Sequence, residues 1–357
     1  VIETVRQLLS EFQPVSWGKD LVTAGFVKKI ELVERNLLIH IQLPFAGASL
    51  EEDIKTLLDE RIRQSADIRS IRWTFDIEVA AIARTNKVAG IAGVRNIIAI
   101  SSGKGGVGKS TTAVNLALAL KQEGATVGLL DADIYGPSIP LLLGKAEAHP
   151  GILDEKHMSP VSAHGVVCNS IGFLVPDGEA MVWRGPMASK ALSQILYDTR
   201  WGDLDYLVVD LPPGTGDIQL TIAQQVPTTA AVVITTPQDL ALIDARKGIA
   251  MFEKVNIPVL GVVENMSYYI CSRCGHKEML FGEGGGAKVA EQYGIELLGQ
   301  LPLHIDIRAH SDAGKPIVVA QPQSKISLAY RRIARRMASE LYFQGSVEPA
   351  TLFTVNQ

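Results

Sequence analysis

The stretch GKGGVGKST, residues 103–111, constrains the fold more than any other part of the chain. An apolar run, NIIAIS, precedes it, and a second, TAVNLALAL, follows it. From Gly103 to Ser110 it fits G-x-x-x-x-G-K-[ST], a spacing that functions between a strand and a helix. Its glycines let backbone N–H groups turn toward phosphate oxygens, and the helix N-terminus adds its dipole. The stretch therefore predicts an ATP phosphate cradle built from Gly103, Lys104, Gly105, Gly106, Val107, Gly108, Lys109, Ser110 and Thr111. Lys109 is expected to reach the β- and γ-phosphates, and Ser110 to ligate Mg²⁺. The spacing alone gives the second lysine, Lys104, no task.

Such a loop needs a sheet behind it. Short apolar runs recur at 97–100, 126–130, 207–209, 231–234 and 259–263. None alternates with polar residues, which is how strands buried on both faces read. Helical stretches lie between several of them. The sum predicts an α/β fold, a doubly wound, mainly parallel sheet over residues 96–342. Residues 1–79 read as a separate small α+β domain. VKKIELVERNLLIHIQL is a hairpin around Glu34, Arg35 and Asn36. SLEEDIKTLLDERIRQ is an amphipathic helix, with Ser49 and Glu52 spaced as a capping box. Residues 80–95 read as a linker, and 343–357 as a C-terminal arm.

Two further segments supply carboxylates. YLVVDLPPGTGD ends an apolar strand on Asp210, the expected second holder of Mg²⁺. LLDADIYGPS offers Asp131 and Asp133. One of these suits orienting an attacking water and the other holding a lysine or a Mg²⁺-bound water; both also suit capping the turn at Gly136.

The cysteines are Cys168, Cys271 and Cys274. Three do not make a disulfide framework, and a C-x-x-C in a reducing compartment reads as metal or redox. We infer a cytoplasmic protein. Cys271 and Cys274 give two thiolates, whereas a closed tetrathiolate site needs four. A two-fold homodimer would bring two pairs together. Zn²⁺, a [4Fe–4S] cluster and a redox disulfide all suit such a pair. Cys168 lies in an apolar run and reads as core. No apolar run reaches membrane-spanning length. The balance of 34 basic and 38 acidic residues leaves no nucleic-acid footprint. The C-terminal helix SLAYRRIARRMASELY is expected to turn Ile333, Met337 and Leu341 inward and its arginines outward.

KGGVGKST, with a lysine two places into the loop, resembles the deviant Walker-A loop of the MinD/ParA/nitrogenase-iron-protein class. With DADIYGPS, VVDLPPGTGD and ENMSYYICSRCG, the chain resembles the Mrp/ApbC branch over nearly its whole length. The resemblance implies a Mg²⁺-dependent ATPase carrying a labile [4Fe–4S] cluster on Cys271 and Cys274. Its partners would be iron–sulfur scaffolds and recipient apo-proteins. It implies that Lys104 reaches across the homodimer to the partner's nucleotide, that Asp133 activates water and that Asn265 recognises adenine. The small domain resembles those of iron–sulfur assembly factors but has no cysteine, which implies partner docking or regulation there. A contrasting expectation is a MinD/ParA-like positioning switch with structural zinc at the C-x-x-C.

Overall fold

The computed structural model describes residues 1–65, 68–174, 185–271 and 273–349. Residues 350–357 of the expected arm lie outside them. The N-terminal part contains α1 (Ile2–Leu9), β1 (Val27–Val33), β2 (Asn36–Leu43), α2 (Leu50–Ser65) and β3 (Ser70–Ile77). The remainder begins with β4 (Val94–Ser101), α3 (Lys109–Gln122), β5 (Val127–Asp131) and α4 (Ile139–Leu142). Four short strands follow: β6 (Gly151–Ile152), β7 (Met158–Ser159), β8 (Val161–Ala163) and β9 (Val166–Ser170). Then come α5 (Gly185–Tyr197), β10 (Leu204–Asp210), α6 (Asp217–Gln225), β11 (Ala230–Thr235) and α7 (Asp239–Lys254). The chain continues through β12 (Val259–Ile270), β13 (Lys277–Glu278), α8 (Gly285–Tyr293) and β14 (Glu296–Leu303). It closes with α9 (Ile305–Asp312), α10 (Ile317–Ala320) and α11 (Lys325–Gln344).

The central sheet is mainly parallel, in the order β14-β12-β11-β4-β10-β5-β9. β8 adds antiparallel to β9, and β13 pairs antiparallel with the far end of β12. Its strands read as continuous apolar runs because successive residues enter two different cores. Ile98 and Ile100 of β4, with Val208 of β10, face a core covered by α3 and α11. Ile97 and Ala99, with Leu207 and Val209, face a second core covered by α5, α6 and α7. Four of the five apolar runs fall within strands of this sheet, and the fifth, 126–130, begins one residue ahead of β5. β14 was not among them, since it is a half-buried edge strand of mixed composition.

The small sheet has order β1-β2-β3. β1 and β2 form the expected hairpin, with Glu34 at φ +55° in its turn. β3 runs parallel to β2, so a crossover is required, and α2 provides it. Leu37, Ile39, Ile41 and Leu43 of β2 pack with Ile54, Leu58 and Ile62 of α2, in the same continuous core as α3 and α11. Two contacts fasten the parts together. Trp17, Phe26 and Phe45 hold Tyr342 and Phe343 at the end of α11, with ring centroids 5.5–6.1 Å apart. Glu123, at the C-cap of α3, accepts from the Ser49 N–H at 2.9 Å and from Arg331 at 2.8 Å.

The expected capping box is not formed. Ser49 directs its hydroxyl to Glu123 Oε2 at 2.7 Å, and a distant carboxylate takes the N–H that Glu52 was expected to bind. Ile333, Met337 and Leu341 of α11 are buried as expected. Its arginines are largely paired: Arg331 with Glu123, Arg335 with Asp53 and Arg336 with Glu296. Beyond α11, Ala83 and Glu348 donate backbone bonds to Ser346 and Ala81, so residues 346–348 run beside 81–83. Among the described residues, no helix is long and apolar enough to cross a membrane.

Candidate functional site

The carboxyl ends of β4, β5 and β10 lie level, with Asp210 opposite both Ile100 and Asp131. Crevices of this kind are where open α/β sheets bind ligands. The loop after β4 turns into α3 over Gly108, which stands at φ +78°. A side chain there would be strained, and its Cβ would sit 2.3 Å from Asn265 Nδ2. At Gly103 a Cβ would lie 2.1 Å from the Asp244 carbonyl. The loop is thus held between α7 and the end of β12. Ser102 Oγ donates to the Lys104 carbonyl at 2.8 Å, and the Gly214 N–H donates to the Ser102 carbonyl at 2.9 Å.

Lys109 is buried, with Nζ 2.5 Å from Asp210 Oδ1 and 3.2 Å from Ser110 Oγ. Asp210 is fully buried, and its Oδ2 has no hydrogen-bond partner among the described residues. Ser110 and Thr111 follow in the first turn of α3. Lys104 is half-buried, and its ammonium has no ion pair among the described residues. Gly105 and Gly106 are exposed at the tip, and Val107 is buried beneath it.

Three carboxylates gather near Lys109. Burial pushes the Asp131 carboxyl up to about 7, with the charge of Asp210 adding to it against the Ile139 N–H and the Ser170 hydroxyl. Asp131 Oδ2 accepts from Ser138 N and Ile139 N at 3.1 Å and from Ser170 Oγ at 2.9 Å. Asp133 is raised by burial in part against Lys109, and its Oδ1 accepts from Gly136 N at 3.3 Å. Both therefore cap the turn, and the charge of Lys109 acts on both. The sequence reading gave the pair two tasks, water orientation and contact with a lysine or Mg²⁺-bound water, and named Asp133 alone as the activator of water. Asp131 comes beside Asp210 because β5 and β10 are neighbours that end level, a pairing the two local motifs do not themselves specify.

Asn265 is 7% exposed, and its Nδ2 donates to the Val107 carbonyl at 2.8 Å. Its Nδ2 is committed to the phosphate loop, which it supports. The next residue, Met266, has φ +52°, and the register of β12 against β14 shifts between Glu264 and Tyr268. Past this bulge β12 runs on to Ile270 and the cysteine knuckle. Cys271 N donates to the His276 carbonyl at 2.9 Å, and Gly275 N donates to the Cys271 carbonyl at 2.8 Å. Backbone N–H groups of Cys274 and Arg273 hold the Cys271 thiol below its ordinary range. Cys274 is exposed and Cys271 half-buried. Among the described residues no three His, Cys, Asp or Glu side chains are placed to hold a metal ion together, so His276 does not complete a metal site within one chain. Cys168 is buried, and its thiol is pushed up to about 12, as befits a core residue.

Residues 93–338 match the family described as ParA: NUBPL iron-transfer P-loop NTPase. The chain belongs to that family. As a P-loop NTPase of this family it hydrolyses ATP. An iron–sulfur cluster carrier protein of Haemophilus influenzae is 53% identical over 348 residues, covering 98% of this chain and 94% of the relative. The iron–sulfur cluster transfer protein NUBPL of Mus musculus is 50% identical over 253 residues, covering 70% of this chain and 79% of the relative. Among solved structures, a nucleotide-binding protein from Archaeoglobus fulgidus in complex with ADP superposes with TM-score 0.58. It is 37% identical and covers 66% of this chain and 91% of its own. The cell division ATPase MinD of Pyrococcus furiosus shares the fold at TM-score 0.50 and 22% identity, covering 68% of this chain and 98% of its own.

Proposed function

We propose that this protein is an ATP-hydrolysing homodimer that binds a labile [4Fe–4S] cluster between two copies and delivers it to apo-proteins. The observation that carries the reading is the knuckle: one chain offers two thiols at the end of the strand that supports the phosphate loop. A cluster held by four thiolates then needs two chains. Free thiols also suit a reducing, cytoplasmic setting. Scaffold and recipient proteins of iron–sulfur assembly are the partners the family relationship favours.

At the nucleotide site, backbone N–H groups of residues 103–111 would receive the phosphates and Lys109 would exchange Asp210 for them. The orphaned Asp210 Oδ2 and the Ser110 hydroxyl fit Mg²⁺, which would supply charge neutralisation at the phosphates. Asp133 would take the proton of the attacking water. Lys104 would act on the partner's nucleotide as a cation supplied in trans. Asn265 retains its amide oxygen for the adenine while Nδ2 supports Val107.

Anaerobic reconstitution with iron and sulfide, comparing wild type with the double variant Cys271→Ser/Cys274→Ser, tests this. We expect a brown dimer with about one [4Fe–4S] per two chains. The variant should lose the cluster and keep ATP binding. A colourless dimer holding about one Zn²⁺ per two chains would replace the carrier with a positioning switch of MinD/ParA type.

A further inference from the structure

A groove of about 720 Å³ opens where the small sheet's region meets the large one. Its walls come from residues 12–17, α2, α11 and the β12–β14 edge. The chain carries net charge −4, yet this groove is cationic. Four basic side chains line it: Lys277, Arg332, Arg335 and Arg336. Two are already neutralised, Arg335 by Asp53 at 2.8 Å and Arg336 by Glu296. The other two are not. Arg332 is exposed and has no hydrogen bond or ion pair among the described residues. Lys277 rests over the Tyr268 ring, 4.1 Å from its centroid, with no carboxylate paired to it among the described residues. Asp53 is the one carboxylate among the lining residues, and Arg335 holds it.

Apolar side chains share the lining with these cations: Phe12, Trp17, Leu298 and Ile333. A small inorganic anion would use the cations and leave the apolar part of the lining without a partner. Carboxylates interleaved with apolar side chains match both, which is the composition of an acidic peptide segment. Position adds to the match. Lys277 pairs with Ile270, the residue before Cys271, so the groove begins at the knuckle.

We propose that this groove docks an acidic, partly apolar peptide segment of a protein partner beside the cysteine pair. Naming that partner as a cluster recipient rests on the carrier reading; the charge and shape of the groove do not.

The test uses the cluster-free protein, residues 1–357, and a fluorescein-labelled peptide alternating Glu and Leu, followed by anisotropy. Its counterpart with Lys for Glu is the control. The acidic peptide should bind and the lysine peptide should not. Arg332→Glu and Lys277→Glu should each weaken binding about tenfold or more, as charge reversal in a complementary contact does. Unchanged ATP turnover by Arg332→Glu reports an intact fold. Equal binding of the two peptides, or undiminished binding by both variants, would overturn the proposal. Full displacement by millimolar inorganic phosphate would also overturn it, in favour of a small-anion site. With reconstituted protein, the acidic peptide should slow cluster transfer to an apo-ferredoxin. If transfer continues unslowed with peptide bound, the recipient does not dock here. If wild type transfers no cluster at all, the carrier reading fails, while anisotropy still decides the groove.

Discussion

Lys109 Nζ acts on three carboxylates, Asp210 by direct contact and Asp131 and Asp133 through its field. All three are buried. Burial of one charge is tolerable when its partner is present, and removing the partner leaves an uncompensated charge that costs about 3–5 kcal/mol. Lys109→Ala should therefore do two things. It should abolish tight ATP binding, measured by calorimetry. It should also lower nucleotide-free stability by about 3 kcal/mol in urea titrations. Loss of ATP binding with an unchanged midpoint would show that the carboxylates do not depend on this lysine. A mutant read only by activity would hide the second effect.

At the scale of the element, α11 is the part that makes two sheets one body. Its inner face enters the core with α3, its arginines reach Glu123, Asp53 and Glu296, and its last turn ends in the aromatic cluster around Trp17. One residue in it is ill-matched. Glu340 is 4% exposed, its Oε1 has no hydrogen-bond partner among the described residues, and burial raises its carboxyl above the ordinary range despite the bond from Gln344. A raised folded-state value means that the native state holds the proton more tightly than the unfolded chain. Stability is then undiminished below the unfolded value and is lost as pH rises through the folded one. Glu340→Gln should stabilise the protein at pH 7 by on the order of 1 kcal/mol, and the gain should vanish below about pH 4. A gain that persisted at low pH would refute this cause.

The same scale explains what could be read in advance. The central strands were legible because each runs apolar into two cores at once. β14 was not, since an edge strand packs on α11 and borrows its burial from a helix far along the chain. The capping box at Ser49 failed for a related reason: Glu123 is remote in sequence and outcompetes Glu52 in space. The phosphate loop and the C-x-x-C were legible as local spacings. The proximity of Asp131 to Asp210 depends on which strands are neighbours, and pattern alone does not order a sheet. The support that Asn265 gives Val107 depends on β12 reaching the loop, which needs the same information.

The whole molecule, as we propose it, is two chains, and its chemistry is divided between them. If Lys104 acts in trans, a nucleotide needs Lys109 from its own chain and Lys104 from the other. Lys104→Ala and Lys109→Ala should each turn over ATP poorly alone. Mixed in equal amounts and allowed to exchange, they should recover activity. In a statistical mixture half the dimers are hybrid, and one of the two sites in each hybrid is complete, so about a quarter of all sites should work. No recovery after verified exchange would place both lysines on the same nucleotide.

The twelve residues of β12 touch the phosphate loop at Asn265 and lead to Cys271. At about 3.3 Å per residue, the interval, bulged at Met266, spans at most roughly 20 Å. Past the bulge the strand has a length but almost no elasticity, and side chains alternate faces along it. Loss or gain of one residue between Tyr268 and Ile270 would turn the thiol pair to the opposite side of the sheet. The interval is thus a ruler as much as a connector, and its length is as much a part of the machine as the residues at its two ends.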